Sequence, residues 1–111
     1  TGFFQDSTDP IVVEYMKKQL AAYDHAPTST PNPNGYQAFM VWGYAVRYLI
    51  DNGMEVNREN IRDALLEIGV IPSILGSAGT AEFGGHTGRI LTYDGFILTL
   101  DDSKTWVEWT P

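Results

Sequence analysis

An uncharged apolar segment in the first half of the chain limits most strongly what this sequence can fold into. Residues 38–45 are all alanine, glycine, valine, methionine or aromatic. They belong to a predicted helix over residues 36–51, which first carries charge at Arg47 and Asp51 and ends at the Asn-Gly pair 52–53. A helix that is apolar on all sides is normally covered on more than one side. We therefore expect this helix to be part of something larger, or of an associating unit.

A first helix is predicted upstream of this segment, from Pro10 to Tyr23. Asp9 can cap its start, and proline suits the first helical position. Its apolar residues are expected on one face, while Glu14, Lys17 and Lys18 turn away. That face consists of Val12, Met16, Leu20 and Tyr23. Residues 25–35 follow with three prolines and are predicted to form a loop.

The second half of the sequence predicts one more helix and then short strands. Asn57 can cap the third helix and Gly69 ends it. Residues 69–88 form a glycine-rich connection. A hairpin is predicted next, since strand-like residues 90–93 and 96–100 flank an Asp-Gly pair. A turn at 101–104 leads into a last strand over 105–109. The isolated piece is thus expected to be α+β, with three helices followed by a small antiparallel meander.

Composition narrows the classes of function. The 111 residues are 43% hydrophobic and suit one small globular domain. The net charge of -7 repels a phosphate backbone, so nucleic acid is not an expected partner. The absence of cysteine excludes disulfides, thiolate metal sites and cysteine nucleophiles.

Candidate catalytic and metal-binding residues are few and scattered. The glycine-rich run 84–89 lacks the lysine of a phosphate-binding loop. Glu82 and His86 are possible metal ligands by type, but two ligands without further clustered residues do not make a zinc site. The serines are scattered and none lies in the elbow motif of a nucleophile, so they are expected in turns and caps. We expect neither an enzyme nor a bound metal or cofactor.

Four aromatic residues cluster in the first half of the uncharged helix: Tyr36, Phe39, Trp42 and Tyr44. Trp42 and Tyr44 are expected to pack in the core. Tyr36 and Phe39 stand at the helix entrance beside an irregular loop, where a pocket can form. These two are the candidate ligand-binding residues.

Four segments, in this order, resemble the C-terminal part of type I periplasmic binding proteins, the leucine/isoleucine/valine-binding family. They are an aromatic, apolar helix that ends in glycine (39–53), a capped helix with an Ala-Leu pair (57–65), a Gly-x-Thr-Gly turn before a strand with an aromatic-aspartate ending (85–94), and a final aromatic strand (106–109). Ala45 departs from the pattern, because the family usually has an aspartate after the tyrosine.

The resemblance implies a two-lobe α/β fold, to which residues 1–111 contribute a single C-terminal fragment. It implies an extracytoplasmic solute-binding component of an ABC importer, periplasmic or extracellular, for branched-chain amino acids or related small carboxylates. Its partners would be that solute and the membrane permease. Phe39 matches an aromatic near the family's ligand cleft, and Tyr36 is its neighbour.

A second interpretation of the sequence stays open. The helix over 36–51 can instead dock a partner protein or a second copy, which would make the chain a free-standing interaction or dimerisation module. Either interpretation predicts exposed apolar surface, and we expect the isolated piece to self-associate.

Overall fold

The computed structural model describes residues 2–29, 31–84, 91–92 and 94–109. Within these residues the chain is α+β, as predicted: three helices come first and short antiparallel strands follow. The elements are α1 (Pro10–Tyr23), α2 (Pro31–Asp51), α3 (Arg58–Ile68), β1 (Val70–Pro72), β2 (Thr80–Phe83), β3 (Leu91–Thr92), β4 (Leu98–Leu100) and β5 (Trp106–Glu108). None of the described helices combines the length and apolarity that a membrane span requires.

α1 has the predicted bounds but buries a different face. Asp9 caps it by accepting a hydrogen bond from the Ile11 backbone N–H at 2.9 Å. The predicted face is wrong at Leu20 and Tyr23, which are exposed, while Tyr15 and Gln19 are buried. The difference arises because Tyr15 packs between two rings, those of Phe3 and Tyr36, and this contact sets the rotation of the helix.

α2 begins five residues before its predicted start, at Pro31 rather than Tyr36. The prediction of a loop over 25–35 is therefore wrong in its last part. Pro31 and Pro33 both fall in the first helical turn, where backbone N–H groups have no partner within the helix. Proline consequently costs no hydrogen bond there, and its fixed φ suits the helix.

α3 follows its sequence signals at both ends. The Asn57 side chain accepts a hydrogen bond from the Asn60 backbone N–H at 2.9 Å. The Gly69 N–H donates to the Leu65 carbonyl at 3.0 Å, and Gly69 has a φ of 70°, which glycine adopts readily. Its apolar face packs on α2.

The strands form two separate sheets, and the predicted hairpin at Asp94-Gly95 is wrong. β1, β2 and β3 form a three-stranded antiparallel sheet, whereas β4 pairs with β5 and, within the described residues, not with β3. The Asp94 carbonyl accepts a hydrogen bond from the Ser77 N–H at 2.9 Å, and Phe96 is buried edge-on to Phe4. The second predicted turn is confirmed, since residues 101–104 connect β4 and β5.

Two clusters of buried apolar residues form the core, and α2 reaches both. The first, which we call the α1 cluster, consists of Val12, Tyr15, Ile74 and Leu75, with Tyr36 and Met40 of α2 packed against it. The second, the α3 cluster, consists of Ala45, Leu49, Ala64 and Leu65. The two ends of α2 thus face different partners.

One face of α2 stays open. Phe39 is 75% exposed and Trp42 is 51% exposed, and Tyr44 and Ile50 are exposed as well. The expectation that Trp42 and Tyr44 pack in the core is therefore wrong for this chain. The described elements cover α2 from the side of Gln37, Ala45 and Leu49 and leave the aromatic side in contact with solvent.

Candidate ligand-binding cleft

A cleft of about 490 Å³ opens between the end of α1 and the start of α2. This volume lies in the range of small-molecule sites. Both candidate residues line it: Tyr36 and Phe39 come from the first half of α2. The opposite wall is formed by α1 and the residues after it, with Tyr15, Gln19, Tyr23 and His25. The structure thus brings the two candidates together, and their role in binding stays a prediction.

Tyr36 lies at the centre of the wall. Its ring centroid is 4.7 Å from that of Tyr15, with the planes tilted by 51°. The electrostatic interaction with Tyr36 is also the main reason that the pKa of Lys18 is raised above its usual value.

Phe39 forms the outer edge of the cleft. It follows Tyr36 by three residues, so both side chains lie on one side of α2. The Phe39 ring contacts Trp42 edge-on at 6.3 Å and is otherwise open to solvent. Such a ring is available for contact with a ligand or with another protein surface.

Two polar atoms in the α1 wall are buried without a hydrogen-bond partner, the Tyr15 hydroxyl and the Gln19 Nε2. Tyr15 is 3% exposed and Gln19 is 7% exposed. A buried polar group without a partner costs about 1–3 kcal/mol, and such groups are uncommon in native chains. Burial, followed by the neighbouring Tyr36 and Tyr23 hydroxyls, raises the pKa of Tyr15.

The sequence contained a signal for this pair that the prediction missed. Tyr15 and Gln19 are four residues apart, so they share a helical face with Val12. If the buried face of α1 is assigned to Val12 and Tyr15, and not to Val12 and Leu20, Gln19 falls on that buried face. Its position marks either a hydrogen bond to another element or a site for an outside partner.

His25 adds an imidazole to the same wall as Tyr15 and Gln19. Its Nδ1 lies 2.7 Å from the Ala26 carbonyl oxygen. Because a carbonyl only accepts, Nδ1 carries the hydrogen of this bond.

A buried glutamine elsewhere shows how a structural polar side chain looks in this chain. Gln37, at 2% exposure, donates from Nε2 to the Pro72 carbonyl at 3.3 Å. Its Oε1 accepts from the Ile74 N–H at 2.9 Å. Both ends of this amide are satisfied, which ties α2 to the segment after β1. Gln19 makes no comparable contact through its amide nitrogen.

The other candidate chemistry of the sequence does not assemble in the described ranges. There, no group of three or more histidine, cysteine or acidic residues is placed to hold a metal ion. Glu82 lies on β2, and His86 falls outside the described residues, so the structure does not test their pairing. Of the glycine-rich run 84–89, only Gly84 is described.

No protein-family model matches this sequence, and neither a curated protein nor a solved structure is significantly similar to it. The resemblance to type I periplasmic binding proteins therefore remains a prediction from the quoted segments.

Proposed function

We propose that this chain is the C-terminal part of a type I periplasmic solute-binding protein and contributes one wall of its ligand cleft. The observation that carries the proposal is the position of Tyr36 and Phe39. The sequence indicates both residues by their place beside a loop, and the family resemblance indicates Phe39 in addition. Both line one cleft whose volume suits a small ligand. Ligand would bind reversibly as two lobes close over it, without covalent chemistry.

The open face of α2 supports a larger assembly. Phe39, Trp42 and Ile50 are exposed on a helix whose first half carries no charge. The chain is also extended, with a radius of gyration of 15.8 Å where a compact chain of this length has about 13 Å. An uncovered apolar helix and an extended shape are both expected of a piece that packs against a second lobe.

A titration of solutes tests the proposal. Leucine and other branched-chain amino acids are added to the protein as its whole reading frame encodes it, and heat is recorded by calorimetry. We expect saturable binding that Phe39→Ala weakens about tenfold, because a ring contact in the cleft is lost. Tyr44→Ala is the matched control. It removes an exposed aromatic from the same helix outside the cleft, and affinity should stay within about twofold.

The same open face favours a second function, docking to another protein or a second copy. The two functions differ in the response of one pair of variants. If α2 is a docking surface, Phe39→Ala and Trp42→Ala weaken association equally. In that case neither the wild type nor the variants bind a solute. Light scattering of the wild type and both variants distinguishes these results, since a solute-binding protein that is complete stays monodisperse.

A further inference from the structure

The two unpartnered donors of α1 belong to residues of the cleft wall. Tyr15 and Gln19 are one helical turn apart, so their side chains lie on the same face. Both residues line the cleft, and both are more than nine-tenths buried. Since neither the Tyr15 hydroxyl nor the Gln19 Nε2 has a partner among the described residues, a group from outside can complete both.

The missing group is an acceptor. An amide nitrogen only donates, and the Tyr15 hydroxyl keeps its proton because burial raises its pKa. Two donors on one face of α1 can each be satisfied by an oxygen of a carboxylate, and hydrogen bonds to an ionised oxygen are the stronger kind.

The electrostatic surroundings favour an anion at one end of the cleft. α2 begins there, with Pro31, Asn32 and Gly35 in the lining, and its first turn contains no acidic residue. Pro31 and Pro33 have no N–H, and the Asn32 N–H donates to the Ser29 carbonyl at 3.2 Å, so this helix start acts on an anion through its dipole and not through free donors. α1 ends at Tyr23, where carbonyl groups give the opposite sign. A carboxylate on Tyr15 and Gln19 is thus favoured when it lies toward the start of α2 and away from Tyr23.

The remaining surfaces of the cleft are flat and aromatic. Tyr36 packs against Tyr15 inside, while the exposed ring of Phe39 forms the edge. Aromatic rings contact another ring face-offset or edge-on and gain affinity beyond the buried area. A ring therefore fits this cleft better than a short aliphatic chain does.

We propose that the cleft binds a small aromatic carboxylate, with its oxygens on the Tyr15 hydroxyl and Gln19 Nε2 and its ring against Tyr36 and Phe39. This ligand class rests on the proposed function, because it assumes that the same cleft takes a solute. The two donor atoms are shielded from water in the free chain. Entry consequently requires a side chain to move, and Phe39 is the least constrained of the lining rings.

Benzoate is the probe, and cyclohexanecarboxylate is its match without an aromatic ring. Each is titrated into the protein encoded by the whole reading frame, in parallel with leucine. Tyr15→Phe and Gln19→Met each remove one donor at nearly constant volume. We expect benzoate to bind at least fivefold tighter than cyclohexanecarboxylate, and each variant to weaken benzoate binding about tenfold or more. Tyr44→Phe, which removes an exposed hydroxyl of α2 outside the cleft, should leave it unchanged.

The outcomes separate the ligand class from the function. If leucine binds with dependence on Phe39 and benzoate does not bind, the aromatic-carboxylate proposal is overturned and the solute-binding function stands. Benzoate affinity that is equal in wild type, Tyr15→Phe and Gln19→Met also overturns it, because the two donors then play no part. If no solute binds, the proposed function fails and this inference fails with it.

Discussion

Two glutamines are buried to a similar extent in neighbouring helices, and they differ in what they bind. Gln37 of α2 uses both ends of its amide to hold the segment that follows β1. Gln19 of α1 leaves its amide nitrogen without a partner next to a cleft. The first stabilises the fold, whereas the second makes the free chain less stable than an apolar residue would.

The same contrast extends to the two core clusters. The α3 cluster consists of aliphatic side chains between α2 and α3, and nothing polar interrupts its buried members. The α1 cluster contains Tyr15, whose hydroxyl has no partner. Native chains keep such costs mainly where binding requires them. The comparison thus supports the α1 side as the location of the proposed binding site.

The largest effect is expected at the satisfied glutamine. Gln37→Met keeps the side-chain volume but leaves the Ile74 N–H and the Pro72 carbonyl buried without a partner. We expect the free energy of unfolding to fall by about 2–4 kcal/mol, measured by urea denaturation. A loss below about 0.5 kcal/mol would mean that these hydrogen bonds add nothing and that the contrast with Gln19 is unfounded.

A glycine next to the start of α1 gives the next largest effect. Gly79 has a φ of 67°, and a Cβ there would collide with the Asp9 carboxylate, which caps α1. Gly79→Ala should cost about 2 kcal/mol through backbone strain and a disturbed cap. Gly43→Ala is the control, because a Cβ meets nothing within 4 Å there and alanine favours the helix. It should stabilise by about 0.5–1 kcal/mol. Equal effects of the two changes would contradict the position of the Asp9 cap.

The unsatisfied glutamine should behave in the opposite way to Gln37. Gln19→Met loses no hydrogen bond through Nε2, so stability should stay within about 1 kcal/mol of the wild type or rise. The same denaturation series measures it. A loss as large as that of Gln37→Met would show that Gln19 has a structural partner.

The smallest effect concerns pH. The pKa of Tyr15 lies above its usual value of 10.0, so the folded chain holds this proton more tightly than the unfolded chain does. The stabilisation is complete below about pH 10 and is lost as the pH rises through the folded value. Tyr15→Phe should reduce the fall of stability between neutral pH and about pH 11. The pKa of Lys18 is also raised, so its contribution to stability is likewise lost as the pH rises. The Tyr15→Phe variant should therefore still lose some stability at high pH.

The sequence predicted the elements whose signals are local. Asn57 and Gly69 bound α3 because cap residues act on the adjacent turn. The ends of α1 followed from Asp9-Pro10 in the same way. The sequence does not predict the start of α2, because prolines usually interrupt a helix, whereas Pro31 and Pro33 fall in the one turn that tolerates them.

Features that depend on distant contacts could not be predicted. β1 and β2 are three and four residues long, and they form because the segment pairs back on itself, not because of a long alternating pattern. The Asp-Gly pair at 94–95 predicts a hairpin. In the structure the Ser77 N–H donates to the Asp94 carbonyl and Phe96 packs on Phe4, and these distant contacts fix the position of the segment. Tyr36 and Phe39 were identified as candidates from their place beside a loop. Their partners on α1 depended on the rotation of that helix, which the contact between Tyr15 and Tyr36 determines.

The most direct test of the central claim compares the stability of wild type and Tyr15→Phe with and without benzoate. If the Tyr15 hydroxyl is kept for a ligand, the variant is at least as stable as the wild type in buffer alone, because an unsatisfied buried group is gone. Benzoate then stabilises the wild type more than the variant. The account is contradicted if Tyr15→Phe is less stable by more than about 1 kcal/mol in buffer and both proteins gain equally from benzoate.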